Sequence, residues 1–177
     1  TGGAINADHV FRGRSAAYPN GAAVSEIEID PVTGHLAVIG HTTVDDPGTA
    51  INPMILEGQA HGSIVQGIGQ AIIENGVYDP KTGQLIAGSF MDYGLLRADD
   101  LPNFITSLHE VPTLNNPLGV KGGGEGGTVS ATAAFLNAVC DALQDYGVQD
   151  LDMPVTSEKI WRAINNSNFP NLDGSQK

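Results

Sequence analysis

Cysteine is nearly missing from this sequence: Cys140 stands alone among 177 residues, so no disulfide can form within the chain. A single thiol fits a reducing compartment. Basic side chains are also scarce, with eight Lys and Arg against twenty Asp and Glu and a formal net charge of −12. That balance excludes the electropositive footprint that nucleic acid or an anionic membrane surface demands. No apolar run approaches the roughly eighteen residues a membrane-spanning helix requires. The opening residues, Thr-Gly-Gly-Ala-Ile-Asn, lack the basic start and apolar core of a signal peptide, so a cytoplasmic location is expected. What remains, 41 % apolar and 16 % charged, is the composition of a soluble globular chain, sized for one ordinary domain or two small ones.

Glycine is in excess. The 23 glycines gather in two places, and the denser is Asn116-Pro-Leu-Gly-Val-Lys-Gly-Gly-Gly-Glu-Gly-Gly-Thr128. Glycine is costly to order and packs nothing, so such a run implies unusual backbone geometry or a backbone that must approach something closely. It leads into an apolar-periodic segment that reads as a helix, where free N–H groups favour anions. Its one acid, Glu125, is either a catalytic base or a solvated loop carboxylate. Gly122, Gly124 and Gly127 formally satisfy G-x-G-x-x-G, but a dinucleotide fingerprint must follow a regular strand inside a βαβ unit. Here Pro112 and Pro117 precede it and no apolar strand follows the helix. A phosphate-cradling loop fails as well, because no Lys-Ser/Thr pair follows the glycines.

The periodicities predict an α+β fold. Residues 1–21 read as an irregular arm ending in the turn Tyr18-Pro-Asn-Gly21, residues 22–165 as the domain, and 166–177 as a frayed tail. Val24 to Asp30 alternates, with Ile27 and Ile29 on one face and Glu26 and Glu28 on the other. The turn Asp30-Pro-Val-Thr-Gly34 and a return strand make 22–44 a β-hairpin. Asp79-Pro-Lys-Thr-Gly83 repeats the turn formula without matching flanks, which points to recurring turn chemistry rather than an internal repeat. A third strand is expected over Phe104–Val111. Asn52 as cap and Pro53 as first residue start a helix of about 53–74, ended by Asn75-Gly76. Its apolar-or-small stripe is Ile55, Gly58, Gly62, Val65, Gly69 and Ile72; its polar stripe is Gln59, Ser63, Gln66 and Gln70. A second helix, about 128–146, buries Val129, Thr132, Ala133, Leu136, Val139, Cys140 and Leu143, and stops at Gly147. A short helix runs from Ser157, its cap, to Asn165, with Ile160, Trp161 and Ile164 inward.

Six ordered motifs carry a resemblance: Val44-Asp-Asp-Pro-Gly48, Ile51-Asn-Pro53, Gly58-Gln-Ala-His-Gly62, Gln66-Gly-Ile-Gly69, Gly88-Ser-Phe-Met-Asp-Tyr93 and Gly119-Val-Lys-Gly-Gly-Gly-Glu125. Over about residues 18–165 the chain resembles the C-terminal part of the molybdenum-cofactor-binding large subunit of the xanthine dehydrogenase, aldehyde oxidase and aerobic carbon monoxide dehydrogenase family. The carbon monoxide dehydrogenase-like branch is the nearest look. The resemblance implies oxidation of a small substrate (an aldehyde, an N-heterocycle or CO) with water-derived oxygen. It makes Glu125 the active-site base, accepting the proton of a water-derived hydroxyl whose oxygen then attacks an electron-poor carbon. It implies cofactor contacts from Gln59 and from Gly122, Gly123 and Gly124, and no metal ligand from the chain itself. The implied cofactor is molybdopterin in its cytosine dinucleotide form, with 2Fe-2S and FAD on partner subunits.

The residues agree with that role in part. A carboxylate in a tight, dry loop gains proton affinity, while a nearby helix N-terminus lowers it. A complete subunit of this kind is several times longer, so the remaining part of the subunit is an expected partner. The isolated chain is expected to bind cofactor weakly and to be inactive. The alternative is a non-catalytic assembly module needing neither Glu125 nor Gln59. His61 reads as an interior hydrogen-bonding residue, and His9, His35, His41 and His109 are scattered without ligand spacing. Asp45 and Asp46 read as turn-capping acids, Asp92 and Arg97 as a structural pair, and Cys140 as core. Lys121 neutralises either a carboxylate in an ion pair or a phosphate.

Overall fold

A computed structural model of the chain describes residues 5–13 and 15–165. The tail from Asn166 and the first four residues of the arm lie outside the described residues. The α+β class holds. Strands β1 (Asn20–Ile29) and β2 (Leu36–Asp46) form the expected hairpin, antiparallel with Ala22 opposite Val44 and Ile29 opposite Leu36. Its turn closes through Gly34 N–H to Asp30 O at 2.8 Å, and the Asp30 carboxylate accepts the amide of Val32 and the hydroxyl of Thr33. Gly34 has φ +71°, and a Cβ there would run into the Ser157 carbonyl, so the turn lies directly on the C-terminal helix. The second Asp-Pro-Lys-Thr-Gly turn closes identically but is flanked only by a single bridge, Tyr78 to Leu85. That is recurring turn chemistry without a second hairpin.

Strand β3 (Ile105–Leu108) is shorter than the expected 104–111 and pairs with β2 in parallel, giving a mixed sheet of order β1-β2-β3. It stops because Val111 N–H donates to the Asp46 side chain rather than to the β2 backbone. Helix α1 (Pro53–Ile72) starts as expected, with the Asn52 side chain accepting the Ile55 amide at 3.2 Å. It ends two residues short of Glu74, because the Ile73 and Glu74 amides both fold back onto Gly69 O. Helix α2 (Gly126–Ala142) begins before Thr128 and gives way to a 3-10 turn, Gln144–Tyr146, ahead of Gly147. Helix α3 (Ser157–Ile164) is capped by Thr156, not Ser157.

The helix faces differ from those the apolar stripes suggested. On α1 the buried residues are Ser63, Ile64, Gly67, Ile68, Gly69 and Ala71, whereas Ile55 is 58 % exposed. On α2 they are Gly127, Ala131, Phe135 and Val139, with Leu143 just beyond, while Val129 is 74 % exposed. Backbone contact between the two helices is the reason. A Cβ on Gly127 would collide with Ser63 Oγ and come within 2.9 Å of Ala60 O, and one on Gly67 would sit 2.8 Å from Thr128 O. Thr128 Oγ1 donates to Ser63 O at 2.9 Å and Thr132 Oγ1 to Gly67 O at 3.2 Å, satisfying polar groups inside the contact. The docking face is therefore chosen by where the backbones can meet, and Ile64, Ile68 and Phe135 are buried beside it. Helix α2 also packs on β1, so the core lies between the helices and the inner sheet face that carries Ile27, Ile29 and Val38.

Candidate functional site

The C-terminal ends of β2 and β3 and the N-termini of α1 and α2 meet at one edge of the fold. A cavity of about 30 Å³ sits there, lined among others by Asp45, Pro47, Leu56, Leu108, Gly122 and Gly123. Gly123 is half-buried under α1, since a Cβ on it would collide with Leu56 Cδ2. Gln59, three residues along α1 from Leu56, is exposed and places Nε2 3.9 Å from where a Cβ on Gly124 would lie. The structure thus brings Gln59 and the glycine run together. The amides of Gly122, Gly123 and Gly124 donate to no group among the described residues.

Glu125 is the N-cap residue of α2, with φ −110° and ψ −6°, and its side chain makes no capping hydrogen bond. It is exposed. The expectation of a dry loop around it is corrected: the glycines bring Gly123 and Gly127 against α1, which turns the intervening acid outward rather than enclosing it.

Lys121, just before the glycines, forms an ion pair with Asp46 at 2.5 Å, the two side chains only 10 % and 12 % exposed. Of the two readings open for Lys121, carboxylate pairing is the one found. The other Asp46 oxygen accepts the amides of Gly48 and Val111, each at 2.9 Å. Asp46 caps its turn as expected; Asp45 does not, and takes the Thr43 hydroxyl at 2.6 Å instead. The Lys121 ammonium, with the Val111 and Gly48 amides, holds the Asp46 carboxyl down at about 2 against the opposing effect of burial. A carboxyl depressed in the folded state contributes stability that is complete above its unfolded value near 3.8 and is lost as pH falls through about 2. Thermal melts recorded from pH 5 to pH 2 are expected to fall less steeply in Asp46→Asn than in the parent chain. Identical slopes would contradict that assignment.

The histidines hold a feature the spacing did not reveal. His41 and His61 both stand edge-on to Phe104, with ring centroids 6.0 and 5.8 Å away. The His41 Nδ1 pairs with Ser25 Oγ at 2.8 Å, and burial, opposed by Asp45, lowers its pKa. The Nε2 atoms of both rings are buried without a partner among the described residues, so His61 is interior but not hydrogen-bonded there as expected. The pairing of strand positions 25 and 41 is set by hairpin register, a signal available in principle from the alternation. The expected pair of Asp92 and Arg97 is also corrected. Asp92 accepts the Ser89 hydroxyl, the Arg97 amide donates to Asp100, and the ion pairs among the described residues are Lys121–Asp46 and Arg162–Glu158. Cys140 is half-buried, beside Gln144 and Val148, rather than core. No described helix is long and apolar enough to cross a membrane.

The model of the molybdopterin cofactor-binding domain matches residues 2–102, which takes in Gln59 and stops short of the glycine run. The chain is 44 % identical over 146 residues to the nicotine 6-hydroxylase large subunit of Paenarthrobacter nicotinovorans, covering 82 % of this chain and 18 % of that protein. It is 35 % identical over 165 residues to the carbon monoxide dehydrogenase large chain of Hydrogenophaga pseudoflava, covering 93 % and 20 %. The solved Cu,Mo-CO dehydrogenase in its carbon monoxide reduced state superposes with a TM-score of 0.80 at 34 % identity, over 84 % of this chain and 18 % of that one. Quinoline 2-oxidoreductase from Pseudomonas putida 86 gives 0.75 at 40 % identity, over 80 % and 18 %. The chain spans about a fifth of the length of the curated relatives it matches.

Proposed function

Because the chain belongs to the molybdopterin cofactor-binding family, we propose that it forms the C-terminal part of a molybdenum hydroxylase large subunit, with Glu125 as the active-site base. The observation that carries this reading is the meeting of three features at one edge: the Gln59 amide, the undonated amides of Gly122 to Gly124, and the exposed Glu125 carboxylate. These groups fit a pterin. Its polar edge wants donors and acceptors in a plane, and Gln59 supplies both kinds while the glycine amides supply donors a Cβ would hinder. When bound, the cofactor supplies the metal and the two-electron redox chemistry. The chain's own part is to hold and orient it and to take up a proton at a Glu125 carboxylate oxygen. The place of Glu125 as the N-cap residue of α2 sets the backbone from which that carboxylate reaches, directly after the glycine amides.

The proposed cofactor is the cytosine dinucleotide form of molybdopterin, and the substrate is an aldehyde, an N-heterocycle or CO. Electrons would leave through 2Fe-2S and FAD groups on partner subunits, in a cytoplasmic complex. Two of the relatives are named as the large subunit of nicotine 6-hydroxylase and the large chain of carbon monoxide dehydrogenase.

The site is one wall of a pocket. A cofactor-sized ligand needs roughly 300–1,000 Å³ and burial of most of its surface, against the cavity of about 30 Å³ beside the glycines. The purified 177-residue chain is therefore expected to carry far less than one molybdenum per chain by elemental analysis and to show no turnover. Stoichiometric molybdenum in the isolated chain would overturn the partial-site reading.

A further inference from the structure

We propose that Asp46 and Lys121 are positioning residues that clamp the glycine loop and so fix where Glu125 stands; this rests on the reading of Glu125 as the base. The segment from Gly122 to Glu125 is four residues long, three of them glycine. Its amides from Gly122 to Gly124 are unpaired among the described residues, so the loop does not order itself. Its ends do the ordering.

At the rear, Gly127 is wedged against the α1 backbone and Thr128 is hydrogen-bonded to Ser63 O. At the front, Lys121 N–H donates to Pro47 O at 2.8 Å and Thr49 N–H to Gly119 O at 2.9 Å. Asn116 closes the turn beneath, donating to Val120 O and accepting from Val120 N–H. The Lys121 ammonium then locks onto Asp46, whose second oxygen gathers the Gly48 and Val111 amides. One carboxylate thereby ties together the end of β2, the segment leaving β3 and the first residue before the glycines.

Both side chains are nearly covered, so removing the ammonium leaves a largely desolvated carboxylate without its counter-charge, unlike the loss of an exposed surface pair. The consequence falls on the loop, because Asp46 can keep its two amide partners while residue 121 is left with only its backbone bond to Pro47 O on the sheet side.

The test uses amide hydrogen exchange, read by mass spectrometry on the full chain, together with steady-state kinetics after assembly with the remaining part of a large subunit. In Lys121→Met, exchange at the hydrogen-bonded amides of residues 119 to 121 is expected to rise about tenfold, the effect of losing one charge-assisted hydrogen bond on a local opening. Exchange over the β1–β2 hairpin should stay unchanged. Lys121→Arg should restore protection. In the assembled enzyme, Lys121→Met should lower kcat with KM and molybdenum content near those of the parent, and Lys121→Arg should recover most of the loss. Unchanged loop exchange in Lys121→Met would overturn the clamp, as would a rise spread evenly over the whole chain. Turnover that survives Glu125→Gln would instead sink the base reading, since that variant leaves the clamp and its exchange signature intact.

Discussion

Turnover of the assembled enzyme is expected to fall by about 10²- to 10⁴-fold when Glu125 is replaced by glutamine, the usual contribution of a positioned general base. Glutamine keeps the size and the hydrogen-bonding reach of the side chain but cannot take up the proton. The loss will not come from the fold. The Glu125 side chain is exposed and makes no capping hydrogen bond, so the substitution should change stability by no more than about 0.5 kcal/mol. Measured as kcat/KM beside a thermal melt, the two effects separate cleanly. Activity retained within a few-fold would leave Glu125 as a solvated loop carboxylate, and the non-catalytic module as the better description of the chain.

Gly127→Ala is expected to destabilise the chain by about 1–3 kcal/mol, the range for forcing a methyl group into a filled contact. The new Cβ would meet Ser63 Oγ, Ala60 O and Ile64 N, and two of these are backbone atoms that cannot swing aside. Relief would require α1 and α2 to separate, breaking the Thr128 and Thr132 hydrogen bonds that cross the contact. Gly58→Ala on α1 is the control. No heavy atom lies within 4 Å of its missing Cβ, so the substitution should stabilise the isolated chain by up to about 1 kcal/mol through helix propensity alone. Urea unfolding of both variants checks the pair. Opposite signs support glycine-mediated docking, and a neutral Gly127→Ala would contradict it.

Much of the local structure was legible because its causes are local. Ile27 and Ile29 alternate with Glu26 and Glu28, and Asp30-Pro-Val-Thr-Gly34 can only be a tight turn, so the hairpin follows from a dozen neighbouring residues. Asn52-Pro53 marked the start of α1 for the same reason. The faces of α1 and α2 were not legible from apolarity. Gly67 and Gly127 let two backbones touch, which rotates the buried face onto Ser63 and Ala131, residues with little hydrophobic signal. The parallel direction of β3 was hidden because a four-residue strand carries no mark of its partner.

At the site, the glycine run and Gln59 stood out in sequence, and their meeting depends on Leu56 packing over Gly123. The partner of Lys121 lies 75 residues away, where no spacing rule reaches. The exposure of Glu125 was equally out of reach, since solvent access depends on what packs over a loop rather than on the loop's own residues.

The most direct measurement is the rate at which substrate reduces the molybdenum centre in a single anaerobic turnover, in parent and Glu125→Gln enzyme at equal molybdenum content. This rate is read without turnover of any later step, so it reports the half-reaction in which proton uptake by Glu125 is proposed. A rate about 10²- to 10⁴-fold slower is expected in the variant. A rate equal to that of the parent would contradict the reading of Glu125 as the base.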